Sequence, residues 1–239
     1  MINAKQTIGE IAVRQPSTIE VFEQLGIQYC CHGEDTVEAI CKYLGLPAKG
    51  VLSELNRVAD ANSTTKAPWA DPILEALMGK LLRARSVLIQ QDLPRIQRLA
   101  RTVSSCHLRE HPNAIHVAHL SATLANEVTS HFTDEAQILF PKIRELELAY
   151  VGSSSATVHL DSVRNDLAHM TQEHGAVGDL LSRIQEDTED YNATGTTCPS
   201  YREMCEKLKG LDGEIRQQVH LENNVLFDRA LQISSALYS

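Results

Sequence analysis

The sequence predicts an all-α protein, and three observations carry that reading. Glycine and proline are scarce, 12 and 8 among 239 residues, so few points break a helix. Long stretches of Leu, Ala, Glu, Arg and Gln favour helix, and strand-like alternation is hard to find. From residue 71 onward, apolar residues recur at intervals of four and three, the pattern of helices packed side by side.

The length allows one sizeable core plus a smaller module. The expected division is a small helical module at 1–58, a linker at 59–70 and a helical bundle at 71–239. In the module, Thr7 can cap a first helix, with Glu10 three residues on, and Gln15-Pro16 ends it. Ser17 or Thr18 can cap a second helix carrying Ile19, Val21, Phe22 and Leu25, which Gly26 stops. Asp35 or Thr36 can cap a third, holding Val37, Ile40, Cys41 and Leu44. Pro47 and Gly50 punctuate before a last turn from Val51 to Val58.

Between the second and third helices lies Tyr29-Cys30-Cys31-His32-Gly33. A disulfide between adjacent cysteines is strained, so Cys30 and Cys31 are expected as thiols. The next helix would point its N-terminus at them and favour thiolate, and His32 could assist. The same pair also fits two small, half-buried residues at a turn, and spacing does not choose between these. The linker, with Asn62-Ser63-Thr64-Thr65-Lys66 and Pro68, is polar and weakly structured.

Four bundle helices are expected near 71–105, 113–149, 156–189 and 198–235. The breaks fall at His111-Pro112-Asn113, at Val151 to Ser155, and at Asn192 to Gly195. Short connections imply antiparallel neighbours, hence an up-down-up-down four-helix bundle. Pro94 and Pro141 lie inside helical pattern and should kink or interrupt it. The first seam runs Leu82, Ser86, Ile89, Leu93, Ile96, Ala100, Val103, and the second Leu124, Val128, His131, Glu135, Ile138. The third runs Val163, Leu167, Met170, His174, Val177, Leu181, Ile184, and the fourth Met204, Leu208, Leu211, Ile215, Gln218, Glu222, Val225.

Polar residues interrupt these apolar seams at Ser86, His131, Glu135, His174, Gln218 and Glu222. One such residue is commonly a register device. Polar residues on all four helices point to a shared polar centre. His131 and Glu135, four apart, share a helix face, as metal ligands in a bundle do. Burying two carboxylates without cations costs several kcal/mol each, a cost that a metal, protonation or internal water would relieve. His220 is about 200° round its helix from the seam, so it should point away from the centre. His169, one position off its seam, should lie at the surface or the boundary, and His107, His111, His116 and His119 should be solvated at one bundle end.

The formal net charge of −9 argues against a nucleic-acid partner. No apolar run approaches the roughly 18 residues that span a bilayer. The N-terminus lacks the apolar core of a signal peptide. A cytoplasmic location is expected, where the six cysteines stay mostly reduced.

Residues 7–55 resemble the N-terminal module of the iron-centre repair, or ScdA-type, family. The resemblance rests on Thr7-Ile8-Gly9-Glu10, Val21 through Ile27, Tyr29-Cys30-Cys31 with Gly33, and Ala39-Ile40-Cys41; His32 stands where the family has glycine. The bundle resembles the hemerythrin-like di-iron domain of the same family at Leu93-Pro94, His131 through Pro141, Glu173-His174 with Gly178, and Leu221 through Phe227. The resemblance implies non-haem iron held by a histidine from each helix and two bridging carboxylates. It carries over to His131, Glu135, His174 and Glu222. The first-helix histidine falls on Ser86 and the fourth-helix histidine on Gln218, neither a good iron ligand. One iron or partial occupancy is therefore expected rather than a robust di-iron centre.

What the resemblance implies is repair of iron–sulfur or other iron centres damaged by nitric oxide or peroxide, with damaged iron–sulfur proteins as partners. Cys30 and Cys31 would act as a mobile thiol pair passing iron, nitrosyl groups or electrons. The alternatives are a hemerythrin-like sensor or scavenger of nitric oxide or oxygen, or a metal-depleted member acting through protein contacts. No nucleophile or acid–base pair stands out for metal-assisted hydrolysis, and the oligomeric state is open.

Overall fold

The computed structural model describes residues 1–30, 33–61, 74–152 and 160–237, without the side chains of 160 and 161. As expected, the regular elements among the described residues are helical; the one β contact is an isolated bridge between Thr7 and Thr36. No helix among them is long and apolar enough to cross a membrane. They form two compact units, residues 1–77 with 217–239, and residues 78–216.

The first unit opens with α1 (Ile8–Arg14), whose N-cap Thr7 accepts the Glu10 N–H at 3.2 Å. Pro16–Thr18 forms a single 3-10 turn before α2 (Ile19–Gln24). Thr18 does not cap that helix; its hydroxyl donates to the Gln15 carbonyl at 2.8 Å. Gly26 then turns with φ +67°, a conformation that needs no Cβ. Helix α3 (Val37–Leu44) is capped by Thr36 rather than Asp35, through the Ala39 N–H at 3.2 Å. Helix α4 (Ala48–Ala61) takes in residues 59–61; the rest of the expected linker, 62–70, lies outside the described residues. Ile8, Ile11, Phe22, Tyr29, Val37, Val51 and Leu55 pack into this unit's core.

The remaining helices are α5 (Leu74–Val87), α6 (Leu93–Cys106), α7 (Ala114–Asp134), α8 (Phe140–Tyr150), α9 (Leu160–Asp187), α10 (Pro199–Leu221) and α11 (Asp228–Leu237). In the second unit α6 packs on α7 and α7 on α9. Arg95 of α6 reaches Glu203 of α10, Nε to Oε1 at 2.8 Å and Nη2 to Oε2 at 2.7 Å. Neighbours in this order suit an up-down-up-down bundle.

Three junctions are π-helical turns that carry one helix into the next: Leu88–Asp92, Glu135–Leu139 and Glu222–Phe227. Each wide turn inserts a residue and shifts the helix phase by about 100°. Two of them also explain the prolines. Pro94 and Pro141 each follow a wide turn by two residues, so the helix absorbs the missing N–H by widening, and no break follows.

The phase shift corrects the first seam. Leu93, Ile96, Ala100 and Val103 are buried as expected, but from residue 81 to the start of the wide turn the buried residues are Leu81, Arg85 and Leu88. Leu82 and Ser86 are exposed and Ile89 is only half-buried. A count of four and three backward from Leu93 misses the extra residue and lands one position late. The same cause exposes Ile138, while Leu139 is buried. The third seam has no wide turn, and each of its expected residues from Val163 to Ile184 is buried.

Within the first unit, the turn Glu222–Phe227 packs on α1. A Cβ placed on Gly9 or on Gly33 would come within 2.2 Å of Asn224 Oδ1. The glycines thus form a cradle for this asparagine, joined by a Gly9 N–H to Gly33 carbonyl bond of 2.8 Å. Gly9→Ala or Gly33→Ala is expected to destabilise the protein by about 1–3 kcal/mol. Adding Asn224→Ala should recover part of that loss, and thermal unfolding of single and double variants measures the coupling.

Candidate metal centre

Helix α7 presents His131 in its last turn, and Glu135 opens the wide turn that follows. Helix α9 presents His174 from its middle. His131, Glu135 and His174 are 3%, 0% and 1% exposed. Their burial follows from the seams: Leu124 and Val128 below His131, and Met170 and Val177 flanking His174, turn these faces inward.

The Nε2 atoms of His131 and His174 face each other at 2.9 Å. His131 Nδ1 lies 2.7 Å from Glu173 Oε2. A carboxylate only accepts, so this contact places the proton on Nδ1 and turns the Nε2 lone pair inward. Two nitrogens bound to one ion at about 2.1 Å and a right angle stand about 3 Å apart. The observed spacing matches that edge of a coordination polyhedron. Glu173 also contacts the exposed His169 at 3.4 Å.

Glu135 divides its two oxygens. Oε2 accepts from Arg85 Nη2 at 2.5 Å and lies 3.3 Å from His131 Nε2. Oε1 is buried and has no hydrogen-bond partner. A buried carboxylate oxygen left without a donor is costly, and a cation beside the two imidazoles would satisfy it. Within the second unit, one ligand atom each from His131, Glu135 and His174 lies within 4.8 Å of the others, and all three residues are buried; Glu222, the fourth expected ligand, is a buried residue of the first unit. The donor set suits Fe(II), which favours two histidines, carboxylate and open positions. It fits one ion; the Ser86 side chain is exposed and takes no part, while Gln218 is buried in its seam.

Arg85 is the residue the sequence reasoning missed here. Its side chain is 3% exposed, with Cζ 4.3 Å from the Phe132 ring centroid and 5.0 Å from that of Phe140. The signal was available as a charged residue inside an apolar run, but it becomes visible only once the wide turn at 88–92 is known.

The cysteine loop belongs to the first unit. Cys30 is 2% exposed, and its backbone carbonyl accepts from Asn223 Nδ2 at 3.0 Å. Cys31 and His32 lie outside the described residues. Tyr29 stacks beside Phe22, meets His220 edge-on at 5.3 Å, and donates to Glu23 Oε1 at 3.1 Å. His220 is therefore off the seam, as its phase required, yet fully buried. Burial pushes its pKa down to about 4. Asn224 Nδ2 donates to its Nδ1 at 3.1 Å, which leaves the proton on Nε2, a buried atom without a partner. His116, His119 and His169 are exposed as expected, but His111 stacks on Tyr201 at 3.5 Å and bonds Thr196 Oγ1 at 3.2 Å.

Comparison with known proteins finds two family matches. The hemerythrin HHE cation binding domain matches residues 88–230, and ScdA_N, a domain of unknown function, matches residues 4–59. The iron-sulfur cluster repair protein ScdA of Staphylococcus epidermidis is 20% identical over 232 residues, covering 96% of this chain and 99% of that protein. The iron-sulfur cluster repair protein YtfE of Escherichia coli O157:H7 is 26% identical over 226 residues, 95% of this chain and 96% of its own length. YtfE of Yersinia pseudotuberculosis is likewise 26% identical, over 229 residues, 95% and 97% of the two chains.

Glu173 is not itself one of the clustered ligand residues, but it orients one. Glu173→Gln is expected to weaken divalent-ion binding about 10–100-fold, with little change in thermal unfolding, as measured by Co(II) titration of the metal-free chain.

Proposed function

The chain belongs to the hemerythrin HHE cation-binding family, and from that premise we propose that it repairs or maintains iron–sulfur and other iron centres damaged by nitrosative or oxidative stress. The observation that carries the reading is the pairing of two features on one chain. One is a buried two-histidine, one-carboxylate cluster, His131, His174 and Glu135, with an unsatisfied Glu135 oxygen. The other is a cysteine loop whose Cys30 carbonyl is held by Asn223, the residue next to Glu222. The relatives, iron-sulfur cluster repair proteins similar over nearly the full length, support the same reading.

In this reading His131, His174, Glu135 and Glu222 hold non-haem iron, which supplies a redox-active centre able to bind small ligands such as nitric oxide or oxygen. Glu173 holds the proton on His131 Nδ1 and fixes the ring. Phe132 and Phe140, each 4% exposed, wall the Arg85 side of Glu135 with apolar surface. Cys30 and Cys31 are the thiols that receive or pass on iron or nitrosyl groups. The Asn223 bond holds the backbone at Cys30. The clients are damaged iron–sulfur proteins, in a reducing compartment such as the cytoplasm that keeps both thiols available. A sensor of nitric oxide or oxygen would need the bundle cluster but leave the cysteine loop without a role, and the relatives' names favour repair.

Cys30→Ala with Cys31→Ala is expected to abolish recovery of a nitric-oxide-damaged iron–sulfur dehydratase while the bundle keeps its iron, as read by client activity and by elemental analysis of the same preparations. Unchanged recovery in that double variant would remove the thiols from the reading.

A further inference from the structure

Glu135 is a carboxylate with one oxygen already taken. Its Oε2 accepts a 2.5 Å charge-assisted bond from Arg85 Nη2, with both side chains nearly or fully excluded from solvent. A carboxylate that bridges two ions must give one oxygen to each. With Oε2 bound to a guanidinium, Glu135 keeps only Oε1 for a metal, and Oε1 is the atom without a partner.

The guanidinium is also a cation that cannot leave by titration, since arginine stays protonated in proteins. It is seated between the faces of Phe132 and Phe140, 4.3 and 5.0 Å from their ring centroids, contacts that favour a fixed planar cation there. Its position in the chain is equally telling. Counting through the wide turn at Leu88–Asp92, Arg85 is the inward-facing residue of that stretch of α5, and its neighbour Ser86 faces solvent. The first bundle helix thus supplies a positive charge where a metal ligand would have to sit. A second divalent ion beside the guanidinium would meet a like charge in a buried setting, with no histidine from this helix to hold it.

We infer that Arg85 acts as a built-in substitute for a second metal ion: it occupies the bridging oxygen of Glu135 and limits the centre to a single divalent cation. The inference rests on the metal-binding reading above and deepens it. Arg85 is a positioning residue here; it acts through Glu135 and touches no metal. The fourth-helix substitution at Gln218 is then secondary, because restoring a ligand there leaves the Glu135 bridge blocked.

The test is the stoichiometry and magnetism of bound Co(II) in the full-length chain, titrated after metal removal. The wild-type chain is expected to bind one equivalent tightly, with the undiminished paramagnetic signal of an isolated ion. Gln218→His and Ser86→His should each remain at one equivalent. Arg85→His combined with Gln218→His should bind two, with a signal reduced by coupling between the ions. Two tightly bound equivalents in the wild type or in Gln218→His alone would overturn the role of Arg85 while leaving the metal reading intact. A folded double variant that stays at one equivalent would overturn it as well. No bound ion in any of these chains would overturn the metal reading itself, and this inference with it. If the double variant fails to fold, the wild type and Gln218→His decide the matter.

Discussion

A carboxylate without solvent contact has to be neutralised where it stands, and Glu135 is the group on which the bundle's polar centre depends. Its side chain is wholly buried. An uncompensated charge in such a place costs several kcal/mol, and losing one partner of a buried pair typically costs about 3–5 kcal/mol. The surrounding chemistry follows from that demand. Arg85 brings a full positive charge to Oε2, and His131 Nε2 lies 3.3 Å from the same atom. Phe132 and Phe140 surround the guanidinium with aromatic surface that tolerates a cation. The remaining oxygen and the facing imidazole nitrogens leave one place where a cation would complete the balance. The same residues that stabilise the core therefore define the chemistry available in it.

The wide turns supply the geometry. Both expected carboxylate ligands, Glu135 and Glu222, are the first residues of a π-helical turn, and Arg85 stands one turn before the third. An α-helix repeating every 3.6 residues keeps one face inward for only a limited length before drifting. An inserted residue resets that phase at the level of the polar groups and turns Leu93 and Leu139 inward. Such turns are costly in isolation, and their concentration here is consistent with a functional site. Helix α9 needs none, because His174 already falls in an uninterrupted seam.

Asn223 and Asn224 do for the small module what the wide turns do for the bundle. One bonds the Cys30 carbonyl, and the other fills the notch left by Gly9 and Gly33 while holding the His220 ring. Their position directly after Glu222 means that one short stretch of chain carries an expected carboxylate ligand and the bond to the Cys30 carbonyl. Cys30, expected as part of a mobile thiol pair, has a fixed backbone and a buried side chain.

Much of this protein was determined by the sequence alone. Helical periodicity, scarce glycine and proline, and the Thr7 cap follow from local rules that hold whatever the tertiary surroundings. The burial of His131, Glu135, His174 and Glu222 followed from the same periodicity, because a straight seam carries its phase forward reliably over a few turns. What tertiary structure alone decided lies beyond the wide turns or between segments far apart in the chain. Ser86 faces solvent and Arg85 faces Glu135 because an extra residue at 88–92 rotates everything before it. His220 is buried against Tyr29, and Asn224 seats between two glycines more than 190 residues away in sequence. Phase within a helix is a local property. The place where a helix widens, and the partner that fills a notch or neutralises a buried charge, are settled only when distant side chains compete for the same space.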